Sequence, residues 1–287
     1  MSRRTLTWLF LAPTLIGLGL FTFLPIIASV LLAFFEWDII TPPRFVGFGN
    51  FASVVTSPTI RVSFANTIGF VVVAVTLQLA VALLLAVLVS TKMPQLLRSF
   101  FRSVLFFPLI LSAASVSIIM SYLFNENFGV VNQLLGLVGI GNVPWLTSSR
   151  GAMVVVVLVY VWQNFGFSFL LFLGGLASIP NEVYEASQVD GASSWQQFWR
   201  ITLPLLRPTL FMVTLLATIG AMKEFALIQS LNGGGPGSQN VLMVQYIYQT
   251  GFEYARIGYA SAASMVLMVI LMVIALLQMR LDRGDLA

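Results

Sequence analysis

Glu185–Pro204, EASQVDGASSWQQFWRITLP, is the stretch from which the rest of this chain is read. It is polar and helix-forming, it separates two long apolar runs, and it ends in Leu203-Pro204, where the chain turns back into apolar sequence. Just upstream, Pro180 and Asn181 can open a helix. Glu182 and Glu185 fall in its first turns, where the positive end of the helix dipole favours carboxylates, and Gly191 can end it in a left-handed cap. A second helical piece, Ser193–Ile201, sets Trp195, Phe198 and Trp199 at helical spacing, which suits a membrane interface or the base of a helical bundle. Pro204 and Pro208 then redirect the chain into the bilayer. The expected product is a short helix parallel to the membrane that serves as a docking surface for another protein. An amphipathic interfacial helix with no partner is the plainer reading of the same residues.

Composition fixes the class. Hydrophobic residues are 59% of the 287 and charged residues 8%, against roughly 45–50% and about 25% in an ordinary soluble domain. Most of the surface must therefore face something other than water, as in a polytopic membrane protein. The chain has no His and no Cys, which excludes a His-dependent protease, a His or Cys metal site, a thiol nucleophile and a disulfide framework. The net charge of +4 is accounted for by the Lys and Arg needed to orient the spans, and nothing points to nucleic acid.

Hydropathy separates six candidate spans, residues 8–35, 64–89, 104–124, 153–177, 209–231 and 257–279, with a loop at 178–208. Each holds the ~20 apolar residues that cross a hydrocarbon core of ~30 Å. Backbone groups cannot face lipid unpaired, so each span should be helical; the ~10-residue alternating segments of a barrel are missing. The expected fold class is all-α, a single transmembrane domain over 1–287, and no repeat of 20–50 residues points to a solenoid. With both termini inside, nine Lys and Arg lie in inner segments (Arg3, Arg4, Lys92, Arg98, Arg102, Arg200, Arg207, Arg280, Arg283) and four in outer ones (Arg44, Arg61, Arg150, Arg256), the bias that sets orientation. Trp37, Pro42-Pro43, Pro144-Trp145 and Asn232–Gly237 then fall in short outer segments. Ser2-Arg3-Arg4 partly matches a twin-Arg export signal, but the apolar stretch from Trp8 to Phe35 is too long for a signal-peptide core. These arginines are expected to hold the first helix end in the cytoplasm.

The spacing Glu185-Ala186-Ser187, three residues, Gly191, nine residues, Ile201-Thr202-Leu203-Pro204 resembles the cytoplasmic loop of permease subunits of binding-protein-dependent ABC importers. That pattern reads Glu-Ala-Ala, three residues, Gly, nine residues, Ile, one residue, Leu-Pro, so Ser187 is its one departure. Gly233-Gly234-Gly235-Pro236, Tyr246-Ile247-Tyr248, Phe252 and Gly258-Tyr259-Ala260, together with Phe35-Glu36-Trp37, Phe45-Val46-Gly47 and Asn50-Phe51, resemble the carbohydrate-uptake branch, in its maltose-type and glycerol-3-phosphate-type first permeases. The resemblance covers nearly the whole chain. It implies a six-helix type I importer permease in the bacterial cytoplasmic membrane, the first of a heterodimeric pair, with an extracytoplasmic solute-binding protein outside and an ATPase dimer beneath. It further implies that the loop helix fits a cleft in the ATPase. Matched residue by residue, Glu185, Ala186, Ser187 and Gly191 are the docking core, Asp190 is a second candidate contact, and Ile201, Leu203 and Pro204 set the return angle. Small residues let a backbone sit deep in a groove, and Glu185 offers a carboxylate to a basic partner. No Gly-rich segment followed by Lys and Ser or Thr occurs, so no phosphate cradle is expected in this chain, and ATP and Mg are expected in the partner ATPase.

Polar groups inside the spans are expensive, about 2.5–3.5 kcal/mol for a charge at a helix centre on insertion scales. Gln163, Asn164, Gln229 and Asn232 can hydrogen-bond sugar hydroxyls, with Trp162 or Phe165 as stacking faces; helix–helix hydrogen bonding explains them as well. Lys223 and Glu224 are adjacent charges in an apolar run; adjacent helix residues do not face each other, so they have separate partners or lie where the helix is irregular, at a solute or gating surface, or with Lys223 snorkelling and Glu224 paired with a partner permease. Two other classes compete with the importer permease. A stand-alone secondary transporter or channel normally shows paired broken helices or intramembrane carboxylate relays and leaves the loop pattern unexplained. A membrane-embedded enzyme has few nucleophiles here beyond loop carboxylates.

Overall fold

Apolar runs with no capping residues in their interiors form long helices, and the shorter helices lie where Pro, Gly and polar residues interrupt them. The computed structural model describes residues 2–90, 93–237 and 239–284; Lys92, counted above among the inner charges, lies outside them. In chain order, α1 (Arg3–Leu18) and α2 (Leu24–Leu32) are joined by a π-helical turn, Gly19–Phe23. A two-stranded antiparallel hairpin follows, β1 (Phe35–Glu36) and β2 (Arg44–Phe45), then α3 (Gly49–Thr56) and α4 (Pro58–Ser90). Next come α5 (Gln95–Ile110), α6 (Ala113–Leu123), α7 (Val130–Leu137) and α8 (Ser149–Ala177). The polar loop holds α9 (Asn181–Val189), α10 (Ser194–Gln197), a π-helical turn at Phe198–Thr202 and α11 (Leu203–Leu205). The chain ends with α12 (Arg207–Met222), α13 (Ala226–Leu231), α14 (Met243–Tyr248), a third π-helical turn (Gln249–Glu253) and α15 (Ile257–Gly284).

Thr7–Leu32, Pro58–Ser90, Ser149–Ala177 and Ile257–Arg280 are each long and apolar enough to cross a membrane. Two bent pairs bring the number to six if each is one span: Gln95–Ile110 with Ala113–Leu123, bent by 94°, and Ser194–Leu205 with Arg207–Met222, bent by 68°. The architecture is thus the expected all-α one, but two of the six apolar runs are divided. Run 104–124 breaks at Leu111-Ser112, where both residues turn extended (ψ 143° and 129°); α5 continues through Pro108, whose missing N–H falls within it. Run 209–231 breaks at 223–225, between α12 and α13. The first run closes at Leu32, and Phe35 stands in β1.

The described residues form two compact units, Met1–Arg61 with Tyr246–Ile270, and Val62–Gln245 with Leu271–Ala287. In the second, Ala82, Ala86 and Val89 of α4 meet Phe165, Phe169, Phe172 and Leu173 of α8 and Val213 of α12 in one buried cluster. Small residues on α4 thus admit large rings from α8. Where helices approach more closely still, glycine is obligatory: a Cβ at Gly166 would overlap the Leu105 carbonyl of α5, and one at Gly175 would come within 2.5 Å of Thr209 Oγ1 on α12. With little hydrophobic drive between helices in lipid, such close packing and interhelical hydrogen bonds hold a bundle together. Gln78 Nε2 donates to Ser168 Oγ at 2.9 Å, and Ser117 Oγ donates to the Leu227 carbonyl at 2.9 Å.

The broken backbone is satisfied by side chains, as a non-aqueous setting demands. Gln163 Nε2 donates to the Leu111 carbonyl at 3.0 Å, at the break between α5 and α6. Glu224 Oε1 accepts from the Phe225 and Leu227 amides at 3.1 and 2.9 Å, at the start of α13. Gln163→Leu is therefore expected to lower the thermal midpoint of the purified protein, by a loss on the order of 0.6–1.7 kcal/mol. An unchanged midpoint with impaired transport would instead assign Gln163 to the solute.

Candidate coupling site

The loop between α8 and α12 is built by four local devices. Pro180, extended at φ −61° and ψ 136°, precedes α9, and Glu182 sits in its first turn. Gly191, at φ +75°, ends it; the Gly191 amide donates to the Gln188 carbonyl at 3.0 Å and the Ala192 amide to the Ser187 carbonyl at 2.9 Å. These are the paired bonds of a Schellman cap, which require the left-handed conformation glycine adopts without cost. Ser193 and Gln196 form a capping box at the start of α10, the Gln196 amide donating to Ser193 Oγ at 3.3 Å and the Ser193 amide to Gln196 Oε1 at 2.8 Å. The π-helical turn then carries the chain to Pro204 and into α12.

Two ties lock α9 to the return segment. Tyr184 Oη and Thr202 Oγ1 share a hydrogen bond at 3.0 Å, and Gln197 Nε2 donates to Ser187 Oγ at 2.9 Å. Ser187 Oγ in turn donates to the Tyr184 carbonyl at 2.7 Å. The one departure from the Glu-Ala-Ala pattern thus turns inward: Ser187 is buried and ties the loop together, while Glu185, Ala186, Asp190 and Gly191 are exposed. Ile201 and Leu203 are half-buried and Pro204 is exposed at the turn. The same loop exposes apolar side chains, Val189 at 88% and Val183 at 36%, which the sequence did not single out, and Trp195 at 70%. Among the described residues neither the Glu185 nor the Asp190 carboxylate has a hydrogen-bond or ion-pair partner. A rigid helix whose free carboxylates stand beside exposed apolar side chains has the make-up of a protein-docking surface. Ser187→Leu, which cannot fit between α9 and Gln197, is expected to separate the two and to impair transport while leaving membrane insertion intact, as read from membrane-fraction yield against uptake.

Tyr184, Gln197 and Thr202 were missed in the sequence because single polar side chains give no sign of which turn they will reach. The Ser193-x-x-Gln196 capping box was legible by spacing.

The residues proposed for the solute pathway are mostly engaged within the chain. Gln163 serves Leu111, Asn164 Nδ2 donates to the Tyr160 carbonyl at 2.9 Å, and Glu224 caps α13. Gln229 Oε1 accepts from Gln245 Nε2 at 2.9 Å, and Asn232 folds the glycine turn by accepting from the Gly234 amide at 3.1 Å and donating to the Gly235 carbonyl at 3.0 Å. Lys223 caps the end of α12 with its backbone and exposes its side chain. Five of the six thus have hydrogen-bond partners within the chain, and the Lys223 side chain is exposed.

Apolar helices long enough to cross a membrane, interrupted by a pinned, polar, exposed loop, define a polytopic membrane protein with a candidate docking surface. The chain belongs to the family of binding-protein-dependent transport system inner membrane components, which matches residues 78–284. It is 31% identical over 285 residues to the sulfoquinovosyl glycerol transport system permease protein SmoG of Agrobacterium fabrum, covering 99% of this chain and 92% of the relative. It is also 31% identical over 283 residues to the arabinooligosaccharides transport system permease protein AraP of Bacillus subtilis, covering 98% and 90%. Among solved structures, a chain of a bacterial alginate ABC transporter, in complex with an alginate pentasaccharide-bound periplasmic protein, superposes with a TM-score of 0.87 at 26% identity, covering 99% of this chain and 96% of that one. The fold is that of an ABC importer permease.

Proposed function

We propose that this chain is one of two different permeases that together form the pathway of an ATP-driven importer for a sugar or sugar-like solute. It lies in the bacterial cytoplasmic membrane with both termini inside. A solute-binding protein delivers the solute from outside, and a cytoplasmic ABC ATPase dimer binds ATP and Mg and supplies the work; the chain itself is a transport subunit without an ATPase site. The 181–204 loop passes the ATPase's closing motion to the bundle as it alternates between inward-open and outward-open states.

The observation that carries this reading is α9 itself, a helix pinned by Tyr184–Thr202 and Ser187–Gln197, capped at Gly191, and left with free carboxylates outward. Pinning matters because a loose loop would absorb a partner's motion rather than transmit it. The sugar class is supported by the names of the relatives, which are transport permeases for sulfoquinovosyl glycerol and arabinooligosaccharides, and by the polysaccharide importer whose fold this chain shares.

The test is co-isolation. Purified from its native membrane, the chain is expected to bring down a second permease and an ATPase. Glu185→Ala is expected to reduce the recovered ATPase several-fold without changing recovery of the second permease. Isolation of the wild-type chain alone, still able to move solute in vesicles, would replace this reading with a stand-alone transporter.

A further inference from the structure

Where the first apolar run ends and the last begins, the β1–β2 hairpin, α3 and the start of α15 form a polar pocket of about 180 Å³, lined among others by Glu36, Asp38, Asn50, Arg256 and Tyr259. Its floor is built tightly. Asn50 Nδ2 donates to the Ala33 and Phe35 carbonyls, both at 2.9 Å, and Gly258 lies so close to the Phe35 carbonyl that no side chain fits there. Its walls are strained. Ile39 at φ +73° and Ala255 at φ +55° are the non-glycine residues with positive φ among those described, and they stand next in sequence to Asp38 and Arg256. A β-branched residue in that region is a genuine outlier, and such strain persists where the surroundings fix it, commonly at ligand clamps.

The pocket's polar valences are unequally used. Glu36 is paired with Arg44 at 3.1 Å. Asp38 Oδ1 accepts from the Ile40 amide at 3.1 Å and from the Thr41 amide and hydroxyl at 2.7 Å each. Arg256 differs: its guanidinium is held 4.6 Å above the Tyr259 ring, and its N–H groups have no hydrogen-bond acceptor among the described residues. A guanidinium fixed on an aromatic face with its donor fork open matches an acceptor-only planar group, a carboxylate. The segments that carry the lining residues also expose Ile39, Ile40, Phe252 and Tyr254, at 59%, 88%, 73% and 67%. Exposed apolar side chains on the same segments as an open charge have the composition of a protein contact, where apolar groups keep water from a central pair.

We propose that this pocket seats an acidic side chain of the extracytoplasmic solute-binding protein, taken by Arg256, with the exposed apolar side chains of the same segments meeting that protein's surface; the inference rests on the importer reading. The pairing anchors the delivering protein to this chain.

The experiment uses the intact complex in lipid nanodiscs and the loaded binding protein that stimulates its ATPase, with affinity taken from the concentration dependence of stimulation. Arg256→Gln is expected to weaken that affinity roughly tenfold, the scale of one lost charge-assisted pair, and to flatten its dependence on salt. Arg256→Glu should weaken it further, and Arg256→Lys less than Gln. In each variant more binding protein should overcome the deficit. Ile40→Ser, at an exposed position, should loosen docking without touching the charge. Binding by Arg256→Glu within twofold of wild type would overturn the inference while leaving the importer reading standing. So would a loss that follows the anionic lipid content of the nanodisc, which would assign Arg256 to a headgroup. If no loaded binding protein stimulates the wild-type complex, the importer reading falls and this inference with it.

Discussion

Solute uptake is expected to be lost when Gly191 is replaced by valine, with the chain still inserted and the bundle still folded. Gly191 holds φ +75° and has open space where a Cβ would stand, so the obstacle is backbone conformation, not a clash. An L-residue in that region costs roughly 1–2 kcal/mol, and a β-branched one sits at the high end. The paired bonds from Gly191 to Gln188 and from Ala192 to Ser187 depend on that conformation. Once they open, the chain leaves α9 at a different angle, and Asp190 and the exposed Val189 move with it. Asparagine tolerates the left-handed region, so Gly191→Asn is expected to keep a substantial part of the uptake that valine abolishes. Equal, full uptake by both variants would show that the cap has no part in coupling. Glu185→Ala leaves the cap intact and removes the carboxylate; it should lower ATPase recovery, as set out above, and uptake with it.

The second large effect lies in the bundle. Gly166→Val is expected to prevent α5 from packing on α8, because the added Cβ would overlap the backbone carbonyl of Leu105 and no rotamer relieves a backbone contact. Overpacking of this kind costs typically 1–3 kcal/mol, and the same two helices also depend on Gln163 reaching Leu111. The expected readout is a sharp fall in the yield of monodisperse protein and in its thermal midpoint, with Gly166→Ala affected in the same direction. Gly174→Ala, one face away with nothing within 4 Å of the added Cβ, should behave as wild type. A fully stable Gly166→Val would mean that α5 and α8 do not meet as described.

The contrast between these sites shows what a sequence can carry. The α9 cap was legible because its signal is local: Pro180 and Glu182 at one end and Gly191 at the other leave little choice of conformation. The class and helical architecture were legible because 59% apolar composition and apolar runs of about 20 residues admit few alternatives. The break at Leu111 was not, since a run that is apolar all round has no phase from which to read where it stops facing one neighbour and starts facing another; at Lys223-Glu224 the adjacent charges, which cannot share a face, did point to an irregular helix. Their partners were noticed for another reason. Gln163 and Glu224 stood out as costly polar groups in apolar surroundings, and both turn out to bond broken backbone. The family resemblance places Ser187 among the small residues of the docking face, whereas the side chain is buried and ties α9 to Gln197. That role depends on a residue ten positions on, which is why spacing within the pattern gave no sign of it. The pocket at Arg256 draws on segments more than 200 residues apart, and no local pattern joins them.

The central claim is that α9 is the point at which an ATPase drives this bundle. The measurement that tests it most directly is ATP hydrolysis by the assembled complex in lipid, with and without loaded solute-binding protein, for the wild-type chain and for Gly191→Val. The account predicts hydrolysis stimulated several-fold by the loaded binding protein in the wild type, and in the variant hydrolysis that no longer responds to it. Stimulation of equal size in both would contradict it.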